Sequence, residues 1–351
     1  MLMPRNRIRD GVFKMETRIG RRQVLWTLAM GAAAARLGFS QSPHRRSLAL
    51  VTNSDGNNIN VIDLERLVLS DDWQVGEHPH GIAVPESGRI AYTTIESENS
   101  LKSLECSTGK VLRVLSLPGR PNQCAVTPNG ELLAVPIFDG DSVQVVDCES
   151  LRVLKSLPVK RPHNCLNAGN NDHMFVTSTG GNQVNMIDLR TLEYAAEIPV
   201  GGVPRPIAVD RGEKTLYVAL SGFHGFVIVD IPSRKAANKV EFPPLPPDID
   251  LRPLRNTATH GLTLTPDGKE QWAASVPTES VYVYDIQNGN VSSSIAVGKL
   301  PNWIAFSLDG RYGCVTNTGS NDCSIVDRRT RKEVARIAVG KAPKRLATLA
   351  V

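Results

Sequence analysis

Seven polar residues recur at one place in the repeat of this 351-residue chain: His80, Asn122, His163, Arg205, His260, Asn302 and Lys344. Successive steps are 42, 41, 42, 55, 42 and 42 residues, and all but His260 follow a proline. None of the seven is a carboxylate. Nearby loop residues, His78, Arg120, Lys160, Arg161, Arg255, Lys299 and Lys341, add positive charge. Cations and neutral donors around a concavity attract an anionic ligand, be it a small molecule, a cofactor, a peptide or a cell-wall fragment. The imidazoles of His80, His163 and His260 are transition-metal donors if they converge, which would make the chain a metal or haem carrier. His163 or His260 could also serve as a general base. Arg205 and Lys344 would then stabilise a developing oxyanion, as a metal-independent lactonase or lyase requires. The plain alternative is that Asn and His hydrogen-bond strand-start backbone and solvate a channel.

Elements of matching period must hold such a set. An acid closes a short apolar run at Asp63, Glu105, Asp147, Asp188, Asp230, Asp285 and Asp327. Twelve residues before each lie Val51, Thr93, Val135, Val176, Val218, Ala273 and Val315, all small or β-branched. One residue earlier lie Leu50, Tyr92, Ala134, Phe175, Tyr217, Trp272 and Cys314, mostly large and apolar. The pattern reads as strand, tight hairpin, strand. A third run follows each acid (Val111–Leu117, Val291–Val297) and a fourth follows a Gly/Pro loop (Gly81–Val84, Trp303–Phe306). Four short strands at a period near 42 residues, seven times, predict an all-β, seven-bladed β-propeller. The first strand, near Ser47–Thr52, has the character of a second strand, and Arg345–Ala350 that of an innermost one. The C-terminal strand is therefore expected to complete the N-terminal blade and close the ring, leaving no open edge.

The segments Leu50-Val51-Thr52-Asn53 and Cys314-Val315-Thr316-Asn317, with Val61-Ile62-Asp63 and Gly298-Lys299-Leu300-Pro301-Asn302, resemble the YVTN-repeat family of seven-bladed β-propellers. The resemblance spans about 46–351 and implies that fold. The middle repeats depart from the motif, as in Val135-Pro136-Ile137 and Ala273-Ala274-Ser275. Propeller lactonases that use a central divalent cation need ring carboxylates, which these seven positions lack.

The formal charge of +5 is unevenly spread. Residues 1–45 hold nine of the 40 basic residues and two of the 35 acidic ones, leaving 31 basic against 33 acidic in the remainder. That balance argues against nucleic-acid binding, as does a ring of cations without an aromatic-interleaved groove. Arg21-Arg22 precedes the moderately apolar run Val24–Ala35, twelve residues that are too short to span a bilayer. The segment resembles a twin-arginine export signal. Residues 1–45 are therefore expected to be a leader, with cleavage just after Ser40. Residues 46–351 are expected to be a single domain, periplasmic or extracellular, monomeric and without a membrane span when mature.

Cys106, Cys124, Cys148 and Cys165 fall at core positions of the repeat, while Cys314 and Cys323 lie on two strands of one hairpin and are expected to pair as a disulfide. No CxxC or CxxCH occurs. The 55-residue step carries a Pro-rich insertion, about 241–257, that is either a passive loop or a partial lid. Turns carrying Phe138, Phe223 and His224 offer a protein partner a second, scaffold-like surface.

Overall fold

The computed structural model describes residues 46–252 and 257–351; the leader expected over 1–45 lies outside the described residues. Seven four-stranded antiparallel sheets follow one another. Six are built from consecutive strands. In the second blade, Pro79–Ala83, Ile90–Ile95, Ser100–Glu105 and Val111–Ser116 run from the innermost strand to the outermost. The first blade is composite: Pro343–Ala350 pairs with Ser47–Asn53, which is followed by Asn58–Asp63 and Val68–Gln74. The expected closure is what the ladder shows, with Leu50 opposite Ala347 and Leu48 opposite Leu349. Innermost strands pack side by side around the ring, Pro301–Phe306 against Pro343–Ala350 and that strand against Pro79–Ala83.

Seven apolar clusters hold the ring, one between each pair of neighbouring blades. Phe175, Val184 and Ile198 meet Ile207, Val218 and Val229; Ala49, Val51 and Ile62 meet Cys314, Cys323 and Ile337. Inner and middle strands are buried on both faces, whereas outermost strands alternate, as in Glu193–Pro199. The marker acids close the second hairpin of each blade. Asp63 Oδ1 accepts the backbone N–H groups of Glu65 and Arg66, at 3.0 Å each, and Asp188 does the same for Arg190 and Thr191. The asparagine that ends the YVTN-like stretch closes the first hairpin: Asn53 Nδ2 donates to Asn58 Oδ1 and Asn60 Oδ1, and Asn317 Nδ2 to Asp322 Oδ1 and Ser324 Oγ.

Two expectations need correction. Cys314 and Cys323 are free, buried thiols. The register sets Cys314 opposite Ile325 and Cys323 opposite Thr316, two residues out of step, so the two sulfurs do not oppose each other. All six cysteines are buried, and burial pushes the thiols of Cys106 and Cys314 up to about 12. Innermost strands begin two residues earlier than the runs Gly81–Val84, Trp303–Phe306 and Arg345–Ala350 suggest, at Pro79, Pro301 and Pro343. Phe138, Phe223 and His224 are half-buried. Phe138 lies under the guanidinium groups of Arg120 and Arg161, and His224 is bonded to the Pro243 carbonyl and Ser275 Oγ and packs on Phe242. Phe242, the first residue of the inserted loop, is stacked on Tyr282 with ring centroids 4.3 Å apart, which anchors one end of the loop. Among the described residues no helix is long and apolar enough to cross a membrane.

Candidate functional site

A bulge at the start of the innermost strand aims each ring residue. In the second blade Pro79 pairs with Ile95 and Ile82 with Thr93, so His80 and Gly81 together face Thr94. Similar shifts occur at Pro162/Cys165, Pro204/Ile207, His260/Leu262 and Pro301/Trp303. Two residues opposite one bend the strand, and the first of the pair turns toward the axis.

The bulge is held by the threonine of the YVTN-like stretch. Thr52 Oγ1 accepts the Arg345 backbone N–H within its own blade (3.1 Å) and donates to the His80 carbonyl of the next (2.8 Å). Thr94 Oγ1 does the same for Gly81 N–H (2.7 Å) and the Asn122 carbonyl (2.6 Å). Thr316 does so for Trp303 N–H (3.1 Å) and the Lys344 carbonyl (3.0 Å). One hydroxyl thus satisfies a buried N–H that the bulge removed from the ladder and ties the ring residue of the neighbouring blade in place. The approach is close: a Cβ on Gly81 would sit 2.7 Å from Cys124 N and 2.8 Å from the Asn122 carbonyl. Gly261 occupies the same step with φ +66, a conformation that glycine adopts at no steric cost.

All seven residues, His80, Asn122, His163, Arg205, His260, Asn302 and Lys344, line one cavity of about 320 Å³ at the axis. Of the outlying cations only Arg120 lines it. His78, Lys160, Arg161, Lys299 and Lys341 are exposed away from it, and Arg255 lies outside the described residues. The cavity also contains groups that the seven-residue ring misses: Glu96, Arg345, Thr257, Val276 and Thr318. Glu96, Val276 and Thr318 are the first turn residue after their strands, at a fixed step from Asn53 and Asn317. The same ruler that finds the ring therefore finds them one position beyond the hairpin. Glu96 corrects the expectation that no carboxylate reaches the mouth. Burial raises its pKa, opposed by the positive charges of Arg120 and Lys344.

Arg345 is 1 % exposed. Its Nη1 donates to Asn302 Oδ1 (2.8 Å) and its Nε to Gln123 Oε1 (3.2 Å), and its guanidinium lies 4.3 Å from the Trp303 ring centroid. These partners are neutral. Burial lowers its pKa to about 10, which leaves it charged at neutral pH. Arg345, Gln123 and Trp303 form the floor of the mouth. Gln123 and Trp303 also line a second cavity beneath, about 340 Å³, among Ile82, Cys124, Ile207 and Leu346. Among the described residues the upper cavity holds four cationic side chains, Arg120, Arg205, Lys344 and Arg345, against one carboxylate. Arg120 is engaged with Asp139 at 3.0 Å and lies 3.6 Å from Glu96.

Among the described residues no three His, Cys, Asp or Glu side chains gather as metal donors. The rings of His163 and His260 meet edge to face with centroids 6.4 Å apart, and His260 Nδ1 is 2.7 Å from the Asn302 carbonyl, which assigns its proton there. Burial, then Arg345, lowers the pKa of His260 to about 3, and burial with Arg345 and Lys344 takes His80 well below its ordinary value. Both rings are therefore neutral at physiological pH. A group with a pKa near 3 is a poor match for proton abstraction at neutral pH, which disfavours His260 as a general base. His80 Nδ1 lies 3.5 Å from Glu96 Oε1 without hydrogen-bond geometry. Both its ring nitrogens are buried without a hydrogen-bond partner, as is Asn122 Oδ1.

No protein-family model and no curated protein sequence matches the chain. Solved structures do. A structure described as hydrazine synthase of Kuenenia stuttgartiensis aligns with a TM-score of 0.69 at 14 % identity, over 79 % of this chain and 91 % of that one. A protein of unknown function from Desulfotomaculum acetoxidans DSM 771 aligns with a TM-score of 0.71 at 14 % identity, over 86 % and 98 %. Dihydro-heme d1 dehydrogenase NirN, solved in complex with DHE, aligns with a TM-score of 0.62 at 14 % identity, over 86 % and 74 %. At such identity the likeness is one of fold: this chain is similar to these proteins as a seven-bladed β-propeller.

Proposed function

We propose that this chain is an exported propeller of the YVTN-repeat kind, carried by a twin-arginine-type signal, whose channel mouth binds an anionic small molecule. One observation carries the reading: Arg345 is a buried guanidinium whose protein partners are neutral, on a cavity with four cations and one carboxylate. A buried charge costs several kcal/mol unless it is compensated, and the protein's own groups compensate this one only in part. A guanidinium carries five N–H donors in a planar fork suited to carboxylates and other oxyanions, and two of them are used here. The cavity volume lies at the small end for small-molecule sites, about 300–1,000 Å³, which favours a metabolite-sized occupant over a peptide.

The test is calorimetric titration of the purified chain with carboxylates, sulfate, phosphate and haem-type cofactors. Tetrapyrroles enter because NirN was solved with DHE and because such cofactors carry carboxylates; an absorbance shift reports them. At least one anion is expected to bind, and Arg345→Met to weaken it by tenfold or more. Unchanged affinity in Arg345→Met, or no binding by any anion, would overturn the proposal.

A further inference from the structure

We infer that the ligand is a hydroxy acid: an oxyanion head for Arg345, joined to at least one hydroxyl that donates to Asn122 Oδ1 or to the acceptor nitrogen of His80. The inference rests on the anion-binding reading and adds the chemistry of the wall formed by His80 and Asn122. His80 and Asn122 belong to adjacent blades, and the two residues are 6 % and 5 % exposed. Asn122 Oδ1 is a buried acceptor with no hydrogen-bond partner, and neither ring nitrogen of His80 has one. Buried polar atoms of this kind are rare in native proteins, and a bound group is one of the few explanations for them. A neutral imidazole carries one N–H and one acceptor nitrogen, so the His80 ring offers one unpaired acceptor beside Asn122 Oδ1. Two acceptors on one wall call for a ligand that carries donors.

Hydroxyl and ammonium groups both donate, and the electrostatics separates them. Among the described residues, Arg120, Arg205, Lys344 and Arg345 line the same cavity against one carboxylate, Glu96. An ammonium would enter a field that repels it, whereas a hydroxyl pays no such penalty. A plain carboxylate would satisfy the guanidinium but leave Asn122 Oδ1 and the acceptor nitrogen of His80 desolvated and unpaired. An amino acid would meet the acceptors but oppose the cations. The hydroxy acid matches both walls.

The purified chain would be titrated calorimetrically with matched sets: glycolate and acetate, lactate and propionate, malate with succinate and aspartate, gluconate and hexanoate. In at least one set the hydroxylated member is expected to bind tenfold or more tighter than its deoxy partner, and malate tighter than aspartate. Asn122→Leu, nearly isosteric, is expected to bring the hydroxy-to-deoxy ratio towards one. A melting curve would establish that this variant is folded, with Asn122→Asp as a second probe that should weaken every anion. Hydroxy and deoxy partners binding equally in every set, or an Asn122→Leu ratio like that of the native chain, would overturn the hydroxy-acid inference and leave the anion reading standing. No binding by any acid in the sets would overturn both.

Discussion

Arg345 and the two buried histidines set the electrostatics of the mouth with opposite consequences. Replacing a buried, incompletely compensated charge by an apolar side chain of similar length is often neutral or stabilising. Ligand-free Arg345→Met is therefore expected to melt no lower than the native chain, even as it loses anion affinity. A melting point lower by more than about 5 °C would make the guanidinium a structural group. The histidines give a pH signature. His80 and His260 are held neutral in the fold, with pKa values below the 6.5 of the unfolded chain. Below that pH the unfolded state binds the extra protons, so stability falls as pH falls. Each histidine contributes at most about 1.4 kcal/mol per pH unit, and Glu96, raised in the fold, acts in the opposite direction. Urea unfolding should therefore lose about 1–3 kcal/mol between pH 6 and 5, and His260→Gln should lose distinctly less. Equal slopes in the two proteins would show that His260 is not buried neutral.

The threonine of the YVTN-like hairpin links elements rather than acting on a ligand. Thr52, Thr94, Thr177 and Thr316 each bond a bulged backbone group of their own blade, and the first, second and fourth of these also hold the ring residue of the next. Pro136, Ala219 and Ala274 stand at the equivalent step in the other blades, so the ring tolerates loss of the hydroxyl at single positions. Thr52→Val keeps shape and removes the bonds to Arg345 N–H and the His80 carbonyl, leaving two buried groups unpaired. The expected loss is about 1–3 kcal/mol by urea unfolding. Because the same hydroxyl fixes the backbone of His80 and Arg345, anion affinity should fall with it. A Thr52→Val protein as stable as the native one would remove this role.

The whole ring depends on a strand made last. Pro343–Ala350 is at once the innermost strand of the first blade, a neighbour of two other innermost strands, and the carrier of Lys344 and Arg345. Without it the first blade exposes Ser47–Asn53 as a free edge, and the clusters around Leu346 and Leu349 open. Removing the last eight residues should lower the melting temperature by well over 10 °C or prevent folding. Leu346→Ala should cost about 2–5 kcal/mol as a point version of the same loss. Truncated protein with native melting would mean that the ring closes elsewhere.

Periodicity made much of this legible in the chain itself. A two-residue alternation inside a 42-residue repeat dictates strands and hairpins, and a repeat cannot bury its apolar face without neighbours on both sides. The number of blades, the composite first blade and the convergence of His80, Asn122, His163, Arg205, His260, Asn302 and Lys344 follow from that ruler alone. Glu96 lies on the ruler too, one step beyond Asn53 and its counterparts, but residue type alone did not mark a hairpin turn as a cavity wall. The register offset of two residues between Cys314 and Cys323 depends on how the hairpin pairs, which spacing across a turn leaves open. Arg345 occupies a repeat position that holds Gly81, Pro206 and Gly261 in other blades, and nothing local distinguishes it from a surface arginine. Its burial, the neutral partners supplied by the third and seventh blades, and the neutrality of His80 and His260 arise only where seven strands meet. The repeat determined which residues reach the axis; the packed ring decided their charge, because desolvation and neighbouring cations exist only once the ring is closed.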